Sequence, residues 1–406
     1  MKEGHLRVEV IWIIIGSLIA FFVAWNNGAN NAADAIGTAV GSRAIDLRKA
    51  LIIAAIADFV GAILFGSFVS ETIMRGIVNI ELITNPKIII YGMLSSLLST
   101  GLWMLIASIM KMPMSISMAI VGAVIGFGLV TLGINGILWD TIAYIFISWA
   151  ILPFFSAVVA VLLQRFYSRM LANVKLLPYA GASSLFLIVF STSFLLLYGK
   201  VFTAYTNALI LSLLLGFTSF LMFLIFTSIL MIKRSDTKES SNTILKVLVT
   251  FAAATIAFSH GANDVAKSAA PLTAIILASS KGYIPLTVSV DIYALLLCAS
   301  GIAIGIMSWG YRVVGTLGEE ITTLTHTSAF IAQISASIPL LIFTRLGMPV
   351  STTMSIVGAI AGVGLAKGVK YVNIKTLLRI FSTWIIAVPV VMVMSAGVYL
   401  IISSVL

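Results

Sequence analysis

The sequence predicts an all-α polytopic membrane protein of about twelve transmembrane helices. It is arranged as two inverted-topology repeats, with broken helices or hairpins meeting at the midplane. Three observations carry this. The first is composition: 60% of the 406 residues are hydrophobic and only 9% are charged. A soluble domain is nearer about half apolar and about a quarter charged, and the mean hydropathy is +1.14. The second is an internal repeat. Gly28-Ala29-Asn30 recurs as Gly261-Ala262-Asn263, 233 residues on (261 minus 28). MPMSISMAIVGAVIGFGLV (112–130) recurs as MPVSTTMSIVGAIAGVGLA (348–366) at an offset of 236, and Ile145-Phe146-x-x-Trp149 as Ile380-Phe381-x-x-Trp384 at 235. Three matches in order, at nearly constant offset, mark a duplication. The third is the placement of basic residues, which sets the two copies in opposite directions.

Taken in order, the first apolar run covers 8–40. It is longer than the ~20 residues that span a bilayer core. An interruption near Asn26–Asn31 would explain both its length and its polarity. Leu6 to Ala24 is too long for the apolar region of a signal peptide, so none is expected. A basic loop follows (Arg43, Arg48, Lys49), then a span at 51–70 that contains Asp58. After a mixed loop at 75–87 come spans at 88–110, at 112–132 (starting with Pro113) and at 141–163, and then Arg165, Arg169 and Lys175. Two plain spans, 181–199 and 203–231, lead to the hydrophilic loop 233–242. The second series lies at 247–280, 290–310, 326–343, 348–366 and 380–403. The expected division is therefore 1–165 as the first repeat, 166–243 as two linking helices and a short loop, and 244–406 as the second repeat. None of these runs alternates as a membrane barrel strand does.

In the first half the basic loop follows the Gly-Ala-Asn segment. In the second half it precedes it (Lys233, Arg234, Lys238, Lys246). Cytoplasmic loops carry the excess of Lys and Arg, so the copies cross the membrane in opposite directions. Seven spans, an odd number, separate equivalent positions. Both termini then lie on the extracytoplasmic side of the cell (plasma or inner) membrane. The formal charge of +10 is explained by these loops, and nucleic acid is not an expected partner. The single cysteine, Cys298, lies inside an apolar run and reads as an inert buried thiol.

The chemistry sits where apolar residues are expected and polar ones are found. Asn26, Asn27, Asn30, Asn31 and Asp34 fall within the first long run, and Asn263, Asp264 and Lys267 within its copy. Polar and ionisable groups at membrane depth are costly and usually face a cavity on a substrate or ion path. An anion needs N–H and O–H donors, which a helix N-terminus supplies. Pro113 and Pro349 suit a first helical turn, placing Ser115, Ser117, Ser351, Thr352 and Thr353 beside free N–H groups. A hard cation needs oxygens. Asn27, Asn30, Asp34, Asn263 and Asp264 offer them, so sodium is assigned to these five. A tetrahedral oxyanion is assigned to the five hydroxyls together with Asn30, Asn263 and Lys267. A cation beside an anion offsets the cost of each at low dielectric. Each feature also has a plainer reading. Gly122, Gly126 and Gly358 let helices pack closely, and Ser or Thr in a membrane helix often bonds back to its own backbone. Asp58 could ligate or simply pair with a nearby polar group. Lys267, three residues from Asp264, could neutralise that carboxylate or contact the anion. His260 and His326 could relay protons or be satisfied polar groups.

These segments resemble those of the inorganic phosphate transporter (PiT) family, whose signature GANDVANA occurs once in each half. Here 28–35 reads GANNAADA and 261–268 reads GANDVAKS, and the Pro-x-Ser-x-Ser/Thr segments at 113–117 and 349–353 are also similar. The resemblance covers nearly the whole chain. It implies twelve spans, an inverted repeat, phosphate bound centrally and co-transported Na⁺ or H⁺. Asn30, Asn263 and Asp264 match the signature directly. In the first copy the family's Asp falls on Asn31 and its last Asn on Asp34, so the carboxylate is displaced by one helical turn. In the second copy Lys267 replaces Asn. The function expected is sodium-coupled import of inorganic phosphate by alternating access. Proton-coupled phosphate or sulfate transport, and an anion channel, stand as alternatives. There is no nucleophile elbow, phosphate-binding loop or zinc cluster, so no enzyme is expected. The co-transported ion is Na⁺, with no organic cofactor. The partners are phosphate, sodium and membrane lipid, with a homodimer as one option for the assembly.

Overall fold

A computed structural model describes residues 2–110, 114–199, 201–233, 236–285, 289–314 and 321–405, the side chains of 2–9 excepted. Pro113 lies outside the described residues. In chain order the helices are α1 (Lys2–Gly41), α2 (Leu47–Phe65), α3 (Ser70–Arg75), α4 (Pro86–Ile109), α5 (Ile116–Leu132), α6 (Trp139–Ala172) and α7 (Leu177–Leu197). They continue with α8 (Tyr205–Lys233), α9 (Thr237–Asp264), α10 (Ala266–Lys281), α11 (Ile292–Trp309), α12 (His326–Arg345), α13 (Thr352–Lys367) and α14 (Ile374–Val405). Among the described residues, 9 helical stretches are long and apolar enough to cross a membrane, and α5 and α13 are shorter apolar helices. Helix α2 completes the set. It turns Ile52, Ile56, Val60 and Leu64 outward and buries Ala54, Ala55, Asp58, Gly61 and Ala62. A helix with large apolar residues outside, and small residues with a single carboxylate inside, suits a lipid surround, where backbone groups must be satisfied within the helix.

Helix α1 runs unbroken through Asn26–Asn31, so the expected interruption is absent from the first copy. In the second copy Val265 lies between α9 and α10, but it keeps helical backbone angles (φ −60°, ψ −34°), its N–H donates to the Gly261 carbonyl at 3.3 Å and its carbonyl accepts from Ala269 N at 2.9 Å. The two helices therefore continue one another, and neither copy is interrupted at its signature.

Helices α4 and α5 form one hairpin, α12 and α13 the other. The base of the first is tied down by Leu138 N–H donating to the Ile77 carbonyl at 2.9 Å, and that of the second by Asn373 N–H donating to Ile321 at 3.0 Å. The tips meet: Ser117 Oγ, at the start of α5, donates to the carbonyl of Val350, just before α13, at 2.6 Å. Pro349 is not in a first helical turn. It precedes the cap residue Ser351, and its carbonyl accepts from Trp149 Nε1 at 2.9 Å. Ser115 and Ser351 are the N-caps of α5 and α13, accepting from Met118 N at 3.4 Å and Met354 N at 3.3 Å.

The helix crossings obey the same pseudo-two-fold relation. A Cβ added at Gly28 would lie 2.0 Å from the Ile302 carbonyl oxygen, and one at Gly261 would lie 1.9 Å from that of Asp58. A Cβ at Gly126 would meet the Met392 oxygen at 2.1 Å, and one at Gly362 the Ala157 oxygen at 2.3 Å. Each glycine lets two backbones touch, and each crossing has its counterpart in the other repeat. Gly261→Ala therefore overpacks the α2–α9 contact and is expected to destabilise by at least the ~1–3 kcal/mol typical of overpacking. Thermal unfolding in detergent measures this, with Gly397→Ala, where nothing lies within 4 Å, as the unaffected control.

Candidate functional site

The site is built where α1, the junction of α9 and α10 and the two hairpin tips converge. Asn27, Asn30, Asn31, Asp34, Asn263, Asp264, Lys267, Thr352 and Thr353 are each at most 2% exposed. Asn30 and Asn263 anchor the tips. Asn30 Nδ2 donates to Ser108 Oγ at 3.2 Å and its Oδ1 accepts from Met114 N at 3.0 Å. Asn263 Nδ2 donates to Thr344 Oγ1 at 2.8 Å and to the Met348 carbonyl at 3.2 Å. Ser108 and Thr344 are 236 residues apart (344 minus 108), so this tie is the same in both repeats.

On the pseudo-axis, residues meet their own counterparts. Asn31 Nδ2 donates to Asp264 Oδ2 at 3.3 Å, and 264 minus 31 is 233. Asn31 Nδ2 also donates to Asn27 Oδ1 at 2.9 Å. The two carboxylates are gathered by adjacent hydroxyls in the first turn of α13. Thr353 Oγ1 donates to Asp34 Oδ2 at 2.6 Å, and Thr352 Oγ1 to Asp264 Oδ1 at 3.4 Å. Two acidic groups thus meet at the start of α13, the helix end whose dipole favours negative charge.

The acidic groups differ in their compensation. Asp264 carries the Lys267 ammonium on Oδ1 and lies 3.1 Å from His260 Nε2 through Oδ2. His260 Nδ1 in turn pairs with Asp58 Oδ2. Each imidazole nitrogen thus faces a carboxylate oxygen, and both are donors only in the imidazolium. Asp34 has no basic side chain bonded to it among the described residues. Its Oδ1 has no hydrogen-bond partner there, nor do Asn27 Nδ2 and Asn31 Oδ1.

The structure therefore brings Asn27, Asp34, Asn263, Asp264, Lys267, Thr352 and Thr353 into one bonded network with the tip of the second hairpin. Asn30, Ser115, Ser117 and Ser351 shape and join the tips around it. Sequence reasoning passed over Asn31 and left Asp58 and His260 undecided. The offset of 233 that aligns the two signature copies was a signal for Asn31, since it places that residue opposite Asp264. A polar cleft of about 790 Å³, lined by Glu71, Thr72, Arg75, Asn79, Glu81 and Arg345, opens at the second tip. There Thr72 Oγ1 donates to the Gly347 carbonyl at 2.7 Å.

A model of the phosphate transporter family matches residues 27–395. The chain is 36% identical over 390 residues to the protein named "Putative phosphate permease PH0640" of Pyrococcus horikoshii, covering 93% of this chain and 95% of that one. It is 32% identical over 410 residues to the chloroplastic inorganic phosphate transporter 2-1 of Arabidopsis thaliana, covering 92% of this chain and 69% of the relative. A solved structure titled "The sodium-dependent phosphate transporter" superposes with a TM-score of 0.93 at 34% identity, over 98% of this chain and 100% of that one. The inverted hairpins, the doubled Asn anchors and these matches lead to one conclusion: this multi-pass membrane protein belongs to the phosphate transporter family.

Proposed function

We propose that the chain imports inorganic phosphate across the cell membrane by symport with sodium, both termini lying outside. The two repeats, 1–165 and 244–406, would rock about the central network, with 166–243 linking them. The observation that carries the reading is the start of α13. Its hydroxyls and N–H ends suit a tetrahedral oxyanion, yet two carboxylates already lean on it through Thr352 and Thr353. An anion arriving there meets like charge, worth about 4 kcal/mol at 4 Å and an effective dielectric near 20. A cation bound at the half-paired Asp34, with oxygens from Asn27 and Asn31, offsets that repulsion. Each ion therefore raises the affinity of the other, which is reciprocal coupling between sites. The sodium dependence named for the structural neighbour and the positive-inside arrangement of the loops support the choice of ion and orientation.

The test is uptake of radiolabelled phosphate into liposomes holding the purified protein, under an inward Na⁺ gradient, an inward H⁺ gradient or neither, with excess cold sulfate as competitor. Accumulation with Na⁺ alone, unaffected by sulfate, is expected. Accumulation on H⁺ alone, competition by sulfate without phosphate accumulation, or rapid equilibration without accumulation would each replace the reading, by a proton symporter, a sulfate carrier or a channel respectively.

A further inference from the structure

The repeat register exposes an asymmetry at the centre of the site. Position 34 of the first repeat corresponds to position 267 of the second (267 minus 34 is 233). One holds a carboxylate, the other an ammonium. Lys267 is fully buried and among the largest side chains so enclosed. Its Nζ donates to Asn263 Oδ1 at 2.7 Å, to the Val350 carbonyl at 3.0 Å and to Asp264 Oδ1. An ammonium has three protons, and all three are taken, so none is left to point at an anion. The three acceptors are an amide oxygen, a carboxylate oxygen and a backbone carbonyl at a hairpin tip. That is the mixed oxygen set a small hard cation takes in broken-helix transporters.

The positive charges come from the second repeat alone. Asp264 faces Lys267, and His260 lies between Asp264 and Asp58, a residue of the first repeat. With the imidazolium, these two carboxylates meet two positive groups. Asp34 of the first repeat is left outside this cluster, and its Oδ1 is unbonded among the described residues.

We propose that the Lys267 ammonium is a tethered stand-in for a coupling cation. The second repeat supplies its own positive charge, a mobile cation is required only on the first-repeat side, and the ion-to-phosphate ratio is one lower than it is with a neutral oxygen ligand at 267. This rests on the cation-coupled reading above. A tethered charge compensates Asp264 in every conformation of the cycle without being bound or released, and so takes no energy from the ion gradient.

The experiment compares the wild-type protein with Lys267→Asn, which removes the charge and adds an amide oxygen. Both are reconstituted, and the fluxes of ²²Na⁺ and ³²P-phosphate are counted in the same vesicles. The expected result is a rise of one sodium per phosphate in the variant and a steeper sodium activation curve. An unchanged ratio with uptake retained overturns the proposal. If the variant does not transport, the melting temperature in detergent is read against NaCl with choline chloride as control. A sodium-specific rise in melting temperature larger than in the wild type supports a new cation site, because a ligand that binds only the folded state stabilises it. No such gain overturns it. Lys267→Met, which offers no oxygen, is expected to lose uptake and to show no sodium-specific gain. Absence of sodium coupling in the wild-type protein, measured first, would remove the underlying reading and this inference with it, and so is distinguished from failure of the variant alone.

Discussion

Asp264→Asn is expected to abolish phosphate accumulation and to lower thermal stability at the same time. The carboxylate is the shared counter-charge of Lys267 and His260 and accepts from Asn31 and Thr352. An amide keeps the shape but leaves the ammonium buried with only neutral oxygens. Removing one partner of a buried ion pair costs about 3–5 kcal/mol, because the survivor stays desolvated. Uptake also falls, because the pseudo-axis network loses its charge and α13 loses one of the two groups that fix its first turn. The two effects separate in a double variant. Asp264→Asn with Lys267→Met removes both charges and is expected to recover much of the stability, since neutral pairs often replace buried ion pairs at little cost. It should recover none of the uptake. Measured melting temperatures and initial uptake rates decide the matter. Wild-type uptake by the single variant would remove Asp264 from the transport site, and recovered uptake in the double variant would reduce it to a structural counter-ion.

Much of the fold was legible because a membrane leaves few choices. Lipid cannot satisfy backbone N–H and C=O groups, so apolar runs of sufficient length must be helices. The repeat offsets then gave the symmetry. The helices that follow the Pro-x-Ser segments start later than the prolines suggest. The first serines of these segments, Ser115 and Ser351, cap the helices and spend their hydroxyls on Met118 N and Met354 N. The hydroxyls that reach the carboxylates are Thr352 and Thr353. Asn31 is hidden in the sequence because the carboxylate of the first copy lies at Asp34 instead. That a residue touches its own repeat counterpart depends on its lying on the axis, which no linear pattern states. For Lys267 the sequence offers Asp264, three residues away, as a counter-charge, but not the Val350 carbonyl, which comes from a hairpin tip 83 residues away.

Asp34→Asn makes the same chemical change as Asp264→Asn and is expected to leave stability nearly unchanged. No ammonium or imidazolium is bonded to Asp34 among the described residues. Its one hydrogen bond there is accepted from Thr353, and the amide oxygen of asparagine can accept it equally well. No buried cation is orphaned, so the melting temperature should stay near that of the wild type. Sodium affinity should fall steeply. A carboxylate and a cation about 4 Å apart attract by about 4 kcal/mol at an effective dielectric near 20. Tenfold in affinity is 1.4 kcal/mol, so the sodium concentration for half-maximal uptake should rise by about 10²–10³-fold. With the cation gone from the first repeat, the repulsion between phosphate and the remaining carboxylate at α13 is no longer offset, and accumulation driven by a sodium gradient should be lost from a fully folded protein. Sodium titration of uptake, run beside thermal melts of the two Asp→Asn variants, makes the comparison. Equal destabilisation of both would mean that Asp34 is held as firmly as Asp264 by its surroundings. An unshifted sodium dependence in folded Asp34→Asn would move the cation site elsewhere.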